Sequence, residues 1–289
     1  MKYKKIEGLF YLTPVVIIVG VLYSMIIWDI VAAFTGWEGL KATWKFVGFS
    51  NFLKLFQMRR FWVNVKNNFI WLFVFIVPTS LLGYVLAYLF MNIKKSERIL
   101  RQLFLYPMAL SFIVTGTLWA WMYDPSSGLI NAILKSIGIN TSKFGWIANP
   151  KGAIYCMIFA AFWQYLGFSL VIYSGAIRGI NFDMVEAANI DGAGHLRIMF
   201  QIIFPNVGHG TLLTTTMLAI TTMKVFDLVW VMTHGGPGIK TEVLPFFMYR
   251  ITFSQRHIGM GAATSVIILI LSGGIIIPYS LWALKKWIS

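Results

Sequence analysis

Asp183, Glu186 and Asp191 fall together in the short run 183–191, in a chain with only 10 acidic residues against 24 lysines and arginines. Carboxylates so grouped can hold a metal ion, share protons in acid–base catalysis, or offer negative charge to a partner. The first use needs His, Cys or further acids at ligand spacing, and His195, His209, His234 and His257 have none. The second needs a nucleophile or a second titrating group in a strained turn, and the scattered Ser, His and Asp residues form no such set. No catalytic residue and no metal site is assigned, which leaves recognition. Asn181 or Asp183 can cap a helix whose positive end suits the acids, and Gly192 or Gly194 can stop it. A second helical run, "HLRIMFQIIF", follows and is expected to end at Pro205. The pattern predicts a helix-turn-helix outside the bilayer, with Met184, Val185, Ala187, Ala188 and Ile190 as its apolar surface.

The elements that must position this segment are set by composition. With 289 residues, 58% apolar and 12% charged, and a mean hydropathy of +0.74, the chain has too little polar surface to coat a water-soluble globule. No Asp, Glu, Lys or Arg occurs in 8–28, 67–93, 102–123, 152–177 or 257–284. Each block exceeds the roughly 20 residues that cross about 30 Å of hydrocarbon. A sixth stretch holds Lys224 and Asp227 but is otherwise apolar or Thr-rich. The expected fold is an all-α polytopic membrane protein, one transmembrane domain over 1–289. Its six transmembrane helices lie at about 9–31, 68–92, 103–123, 153–177, 209–233 and 260–284, and the connection 178–208 carries the acids. The first block is longer than a signal-peptide core and no small-residue cleavage pattern precedes Trp28-Asp29, so it reads as a retained anchor. Six crossings put both termini on one side with the basic clusters Lys2-Lys4-Lys5, Lys94-Lys95-Arg98-Arg101 and Lys285-Lys286, the side expected to be cytoplasmic.

Charge and loops narrow the partners. The formal charge of +14 sits beside the spans and no nucleic-acid-binding module can be traced, so membrane lipids are the expected partner of the basic residues and nucleic acid is not. Cys156 is alone and inside a span, which rules out an intrachain disulfide. "NFLKLFQMRRFWVNVKNNF" reads as an interfacial helix, and "GLINAILKSIGI" as a short amphipathic turn or helix. Pro78 and Pro107 are places where two spans can kink, though ordinary membrane-helix prolines are the plainer reading. "GGPGIKT" at 235–241 lacks the Gly directly before Lys and the strand-to-helix setting of a phosphate-binding loop.

The connection 178–208 carries two arginines against three carboxylates, a formal −1, and a negative element gains nothing from anionic headgroups. A protein partner explains it better, because the small Ala187 and Ala188 let another surface approach the helix backbone. The segment resembles the EAA loop of binding-protein-dependent ABC transporter permeases: Glu186-Ala187-Ala188, then Gly192, Ile202 and Pro205 at the family spacing, with Phe204 where the pattern has Leu. "FVGFSNF", "GLIN", "WQYLGFS", "KVFDLVWVMTHGGP" and "TEVLPFFMYRITF" extend the likeness to the carbohydrate-uptake type, the maltose and glycerol-3-phosphate permeases. The resemblance implies a heteromeric importer in a prokaryotic cytoplasmic membrane: this chain, a second homologous permease, two ATP-binding subunits that hold ATP and Mg, and an extracytoplasmic solute-binding protein. No cofactor is expected in this chain. By position, Glu186, Ala187, Ala188, Asp191 and Gly192 take the ATPase-coupling roles.

A solute path is expected where polar side chains lie deep in the spans. Gln164 falls about 20 Å, and Thr221 and Thr222 roughly 16 Å, from the inner ends of their helices at about 1.5 Å per residue. Beside Tyr165 and Phe168 they suit a sugar, which offers hydroxyls and apolar ring faces; the plainer reading is that Thr bonds its own backbone and the aromatics pack. Lys224 and Asp227, three apart, can pair on one helix face. In a stand-alone secondary transporter or channel, the alternative reading, that pair would serve transport; in an ATP-driven permease it reads as structural. Which sugar or polyol is carried is left open.

Overall fold

The computed structural model describes residues 2–91, 93, 97–141 and 144–287. Lys94 and Lys95 of the second basic cluster lie outside the described residues. In chain order the helices are α1 (Lys2–Ala33), α2 (Ser50–Gln57), α3 (Arg59–Met91), α4 (Glu97–Leu105), α5 (Phe112–Met122), α6 (Leu129–Ser136) and α7 (Ala153–Arg178). They continue as α8 (Asp183–Ile190), α9 (His195–Arg197), α10 (Phe204–Asn206), α11 (Gly208–Met223), α12 (Asp227–Met232), α13 (Leu244–Tyr249) and α14 (Ile258–Trp287). Among the described residues there is no strand, only one isolated bridge between Thr35 and Phe46. The fold is all-α and multi-pass: four helices, within α1, α3, α7 and α14, are each long and apolar enough to cross a membrane.

The other two expected spans are broken. Residues 103–123 form the end of α4, a 3-10 turn Tyr106–Ala109 and α5, and the two apolar arms meet at 100°. Pro107 lies in that turn, where its missing N–H costs no α-helical bond, and the Ser111 hydroxyl caps α5 by accepting from the Val114 N–H at 3.3 Å. Residues 209–233 divide into α11 and α12. Lys224 ends α11, Phe226 leaves helical geometry at φ −136°, and Asp227 opens α12. Each charge thus meets the helix end of opposite sign, and no ion pair joins the two, so the expected pairing on a continuous helix face is replaced by two separate dipole contacts. By contrast α3 runs unbroken through Pro78. The expected interfacial helix ends at Gln57, since Met58 is extended and α3 already starts at Arg59.

Two compact units are present, 1–61 with 247–270 and 62–246 with 271–289. In the first, the Asn51 amide donates to the carbonyls of Ala33 and Thr35, both at 2.8 Å, and so ties α2 to the end of α1.

In the second, α7 is the most covered of the apolar helices, 50% of its best window being buried. Lipid is as apolar as Leu, so helices there associate through close packing and polar contacts rather than through flight from water. α7 carries out that packing at glycines. A Cβ on Gly167 would stand 1.9 Å from the Phe104 carbonyl oxygen of α4, and one on Gly83 of α3 would stand 2.1 Å from Ser169 Oγ of α7. Around these crossings Trp71, Phe75, Met157, Leu218, Leu228 and Val229 form one buried cluster, and Tyr84, Leu170, Tyr173, Ile177, Met199 and Ile203 belong to another.

Candidate functional site, the elbow after α7

α7 stops at Gly179, and the Asn181 side-chain oxygen accepts from the Asp183 N–H at 2.9 Å to start α8. Asp183 and Glu186 occupy the first turn of α8, where the helix dipole favours negative charge. Gly192 then adopts φ +76°, a left-handed value that costs a side chain, and the Ala193 N–H reaches back to the Ala188 carbonyl at 2.9 Å. The chain returns through α9, a π-helical stretch Ile198–Ile203 and α10. Helix persists past Pro205 as far as Asn206, and the interruption falls instead at Val207, because Pro205 sits in the opening turn of α10 where its N–H is not needed.

One face of this elbow belongs to the chain itself. Val185 and Ala188 are 7% and 8% exposed, and with Ile198, Met199 and Ile203 they pack on Tyr84, Leu170, Tyr173 and Ile177 of α3 and α7. The Tyr84 hydroxyl donates to the Met199 carbonyl, and the Tyr88 hydroxyl donates to the His195 carbonyl at 3.3 Å. Deeper in the same unit, Tyr173 joins Ser80 of α3 at 2.7 Å and donates to Thr211 of α11 at 3.3 Å.

The other face is open. Asp183, Glu186, Ala187 and Asp191 are exposed, and none of the three carboxylates has an ion-pair partner among the described residues. Beside them Ile190 and Leu196 are 86% and 71% exposed. Carboxylates around exposed aliphatic side chains are the makings of a protein–protein contact, an apolar centre with a charged rim. Of the two alanines, only Ala187 points outward; Ala188 lies in the chain's own core, so the expected pair of small outward residues is in fact one.

The residues expected along a solute path divide. Gln164 is 3% exposed, and its amide donates to the Leu110 carbonyl at 2.6 Å, at the break between the two arms of 103–123. Its Oε1 is buried without a hydrogen-bond partner among the described residues. Tyr165 stacks on Phe112 with centroids 5.6 Å apart and meets Phe75 and Phe168 edge-on. Thr221 and Thr222 direct their hydroxyls to their own helix, at Met217 and Leu218 respectively, both at 2.9 Å. Gln164 and Tyr165 therefore gather at the start of α5, whereas the two threonines show only intrahelical bonds.

Sequence reading passed over Asn67 and Asn68. The Asn67 amide donates to the carbonyls of Lys240 at 2.9 Å and Glu242 at 2.7 Å, while Asn68 Oδ1 accepts from the Leu244 N–H at 2.7 Å. Together they clamp the "GGPGIKTEVL" loop to α3. The signal was present, since adjacent amides opening an apolar block must find partners once buried.

Residues 68–286 match the family described as binding-protein-dependent transport system inner membrane component. A probable ABC transporter permease protein of Pyrococcus horikoshii is 38% identical over 95% of this chain and 94% of its own. The osmoprotective compounds uptake permease protein of Synechocystis is 33% identical over 84% and 86% of the two chains. The alpha-glucoside transport system permease protein of Rhizobium meliloti is 32% identical over 83% and 71%. In fold, the chain is similar to a bacterial ABC transporter involved in the import of the acidic polysaccharide alginate, with TM-score 0.83, 20% identity and 98% of each chain covered.

Proposed function

This chain belongs to the inner membrane components of binding-protein-dependent transport systems, and on that premise we propose that it is the permease subunit of an ATP-driven importer for a sugar or related polyol. The observation that carries the proposal is the two-faced elbow: one side is built into α3 and α7, and the other offers Glu186, Ala187, Ile190 and Asp191 to a partner. In this reading the partner is an ATP-binding subunit, two of which hold ATP and Mg. Gly192 sets the bend that presents α8 to it. A rigid contact would pass the closure of those subunits to α7 as a body movement.

The membrane arrangement follows the same logic. Counting α4 with α5 and α11 with α12 as single broken crossings gives six spans, with the elbow and both termini on the cytoplasmic side and 1–289 acting as one membrane domain. A second permease stands beside this one, a reading supported by α1, whose apolar window is only 6% buried. A solute-binding protein delivers the cargo from outside. A polyhydroxylated solute is supported by the alpha-glucoside relative and by the neutral polar and aromatic character of Gln164, Tyr165, Phe168, Thr221 and Thr222. The rival reading as a proton- or ion-coupled carrier loses its coupling pair, since Lys224 and Asp227 each answer a helix end. Uptake into vesicles tests the proposal: it should require ATP together with the ATP-binding subunits. Uptake that persists after ATP is exhausted would overturn it.

A further inference from the structure

Asp29 closes the first apolar block and falls in the last part of α1, where a carboxylate is expensive and demands a partner. Within the first compact unit it borders a cavity of 330 Å³, along with Trp28, Trp37, Thr252, Phe253 and Ser265. The Ser265 hydroxyl donates to Asp29 Oδ2. Among the described residues no cation pairs with Asp29, and its second oxygen is uncommitted. The Trp28 and Trp37 rings stand 5.6 Å apart at 82°, two walls meeting at a corner, and Trp44 packs behind both. Opposite them, Thr252 and Phe253 come from a π-helical stretch, Arg250–Ser254. π turns recur at functional sites. This one is held hard against α14, because a Cβ on Gly261 would lie 1.8 Å from Thr252 Oγ1.

The lining selects among ligands. A sugar brings many hydroxyls, each of which costs energy if buried without a partner. Here Ser265 is already bonded and Trp37 Nε1 is enclosed, so the side-chain groups on offer among the described residues are few: Thr252, the Trp28 indole N–H and the free oxygen of Asp29. An alkylammonium group needs far less: one anion for its charge, and aromatic faces for the polarised methyl or methylene groups around it. We propose that this cavity binds an alkylammonium group, held by Asp29 in the corner formed by the Trp28 and Trp37 rings. The group can come from an aminophospholipid headgroup or from a soluble quaternary amine. The site is separate from the elbow and does not depend on the transport reading.

The test uses the full-length permease purified with the subunits that accompany it. Choline and its uncharged isostere 3,3-dimethylbutan-1-ol are titrated by calorimetry in lipid discs of phosphatidylglycerol alone. The account expects choline to bind at least about tenfold more tightly, a gap expected of a charge-dependent contact. Asp29→Asn should shrink that preference to within about twofold. Discs containing phosphatidylethanolamine identify the source: loss of choline binding there, with this lipid retained by wild type and lost from Asp29→Asn in native mass spectrometry, assigns the headgroup. Choline binding unaffected by that lipid assigns a soluble amine. Either supports the proposal. Equal binding of choline and isostere to wild type overturns it without recourse to any variant, as does an undiminished preference in Asp29→Asn or the absence of ammonium binding in both kinds of disc.

Discussion

α7 and α8 are joined by the short link 179–182, yet they answer opposite demands. Along α7 the sequence is spent on closeness: Gly167 admits the backbone of α4, and Ser169 lies against Gly83 of α3, at distances no Cβ on either glycine would tolerate. On the outer face of α8 it is spent on availability, with Glu186 and Asp191 in no ion pair among the described residues and Ile190 almost fully exposed. The contrast separates residues read by the chain itself from residues left for another molecule. Ala188 and Ala187 show how sharp the division is, since adjacent, identical side chains fall on opposite sides of it.

The sharpest break of that contrast comes from enlarging one residue on each side. Gly167→Leu would drive a side chain into the Phe104 carbonyl, a backbone atom that cannot step aside, and should cost more than the about 1–3 kcal/mol of ordinary overpacking. We expect the variant to fail to accumulate in the membrane. Ala187→Leu, on the exposed face, should leave accumulation and the thermal midpoint unchanged while uptake is lost.

A smaller effect is expected where the chain clamps its own loop. Asn67→Ala leaves the Lys240 and Glu242 carbonyls without their donor, at a cost of about 1–3 kcal/mol. A lowered thermal midpoint and earlier protease cleavage within 234–244 should report it, whereas exchange of amides in α8 should not change. Smaller again is Tyr84→Phe, which removes the hydroxyl that reaches Met199 at a cost of about 0.5–1.5 kcal/mol. Hydrogen exchange should rise in 195–203 and remain steady in α5. If the loosening spreads to α5, the elbow is not the separate element described here.

The smallest effect concerns the turn that follows α5. Asp124 accepts hydrogen bonds from the N–H and hydroxyl groups of Ser126 and Ser127, which hold its carboxyl well below the usual carboxylate range. A depressed value in the folded state means the turn is supported at all pH above the ordinary range, near about 4, and loses that support as pH falls below it. Amide exchange at Ser126 and Ser127 should therefore be flat from pH 7 to 5, after correction for the intrinsic rate, and should show extra opening only in stronger acid.

The apolar blocks located α1, α3, α7 and α14 because an unbroken run without charges has one stable form in hydrocarbon. They were less informative where the helix is broken. Pro107 marked a weak point, but the 100° bend is fixed from far along the chain, by the Gln164 amide taking the Leu110 carbonyl. The break at 224–226 has neither Pro nor Gly. Its cue was the charge pair itself, read as partners on one helix when Lys224 and Asp227 were markers of two ends. In the elbow, the acidic residues and the turn at Gly192 were legible from local chemistry. The inward direction of Ala188 was readable too, since it follows Val185 by three residues on one face. The tyrosines that hold the elbow, Tyr84 and Tyr88, could not be assigned because the sequence does not say which helix the elbow lies against.

The central claim is that the outer face of α8 takes force from an ATP-hydrolysing partner, and Glu186→Lys tests it most directly. Assembled with its partner subunits in vesicles, the variant should insert and melt as wild type does, while both solute uptake and solute-stimulated ATP hydrolysis collapse. Wild-type uptake by that variant would contradict the account.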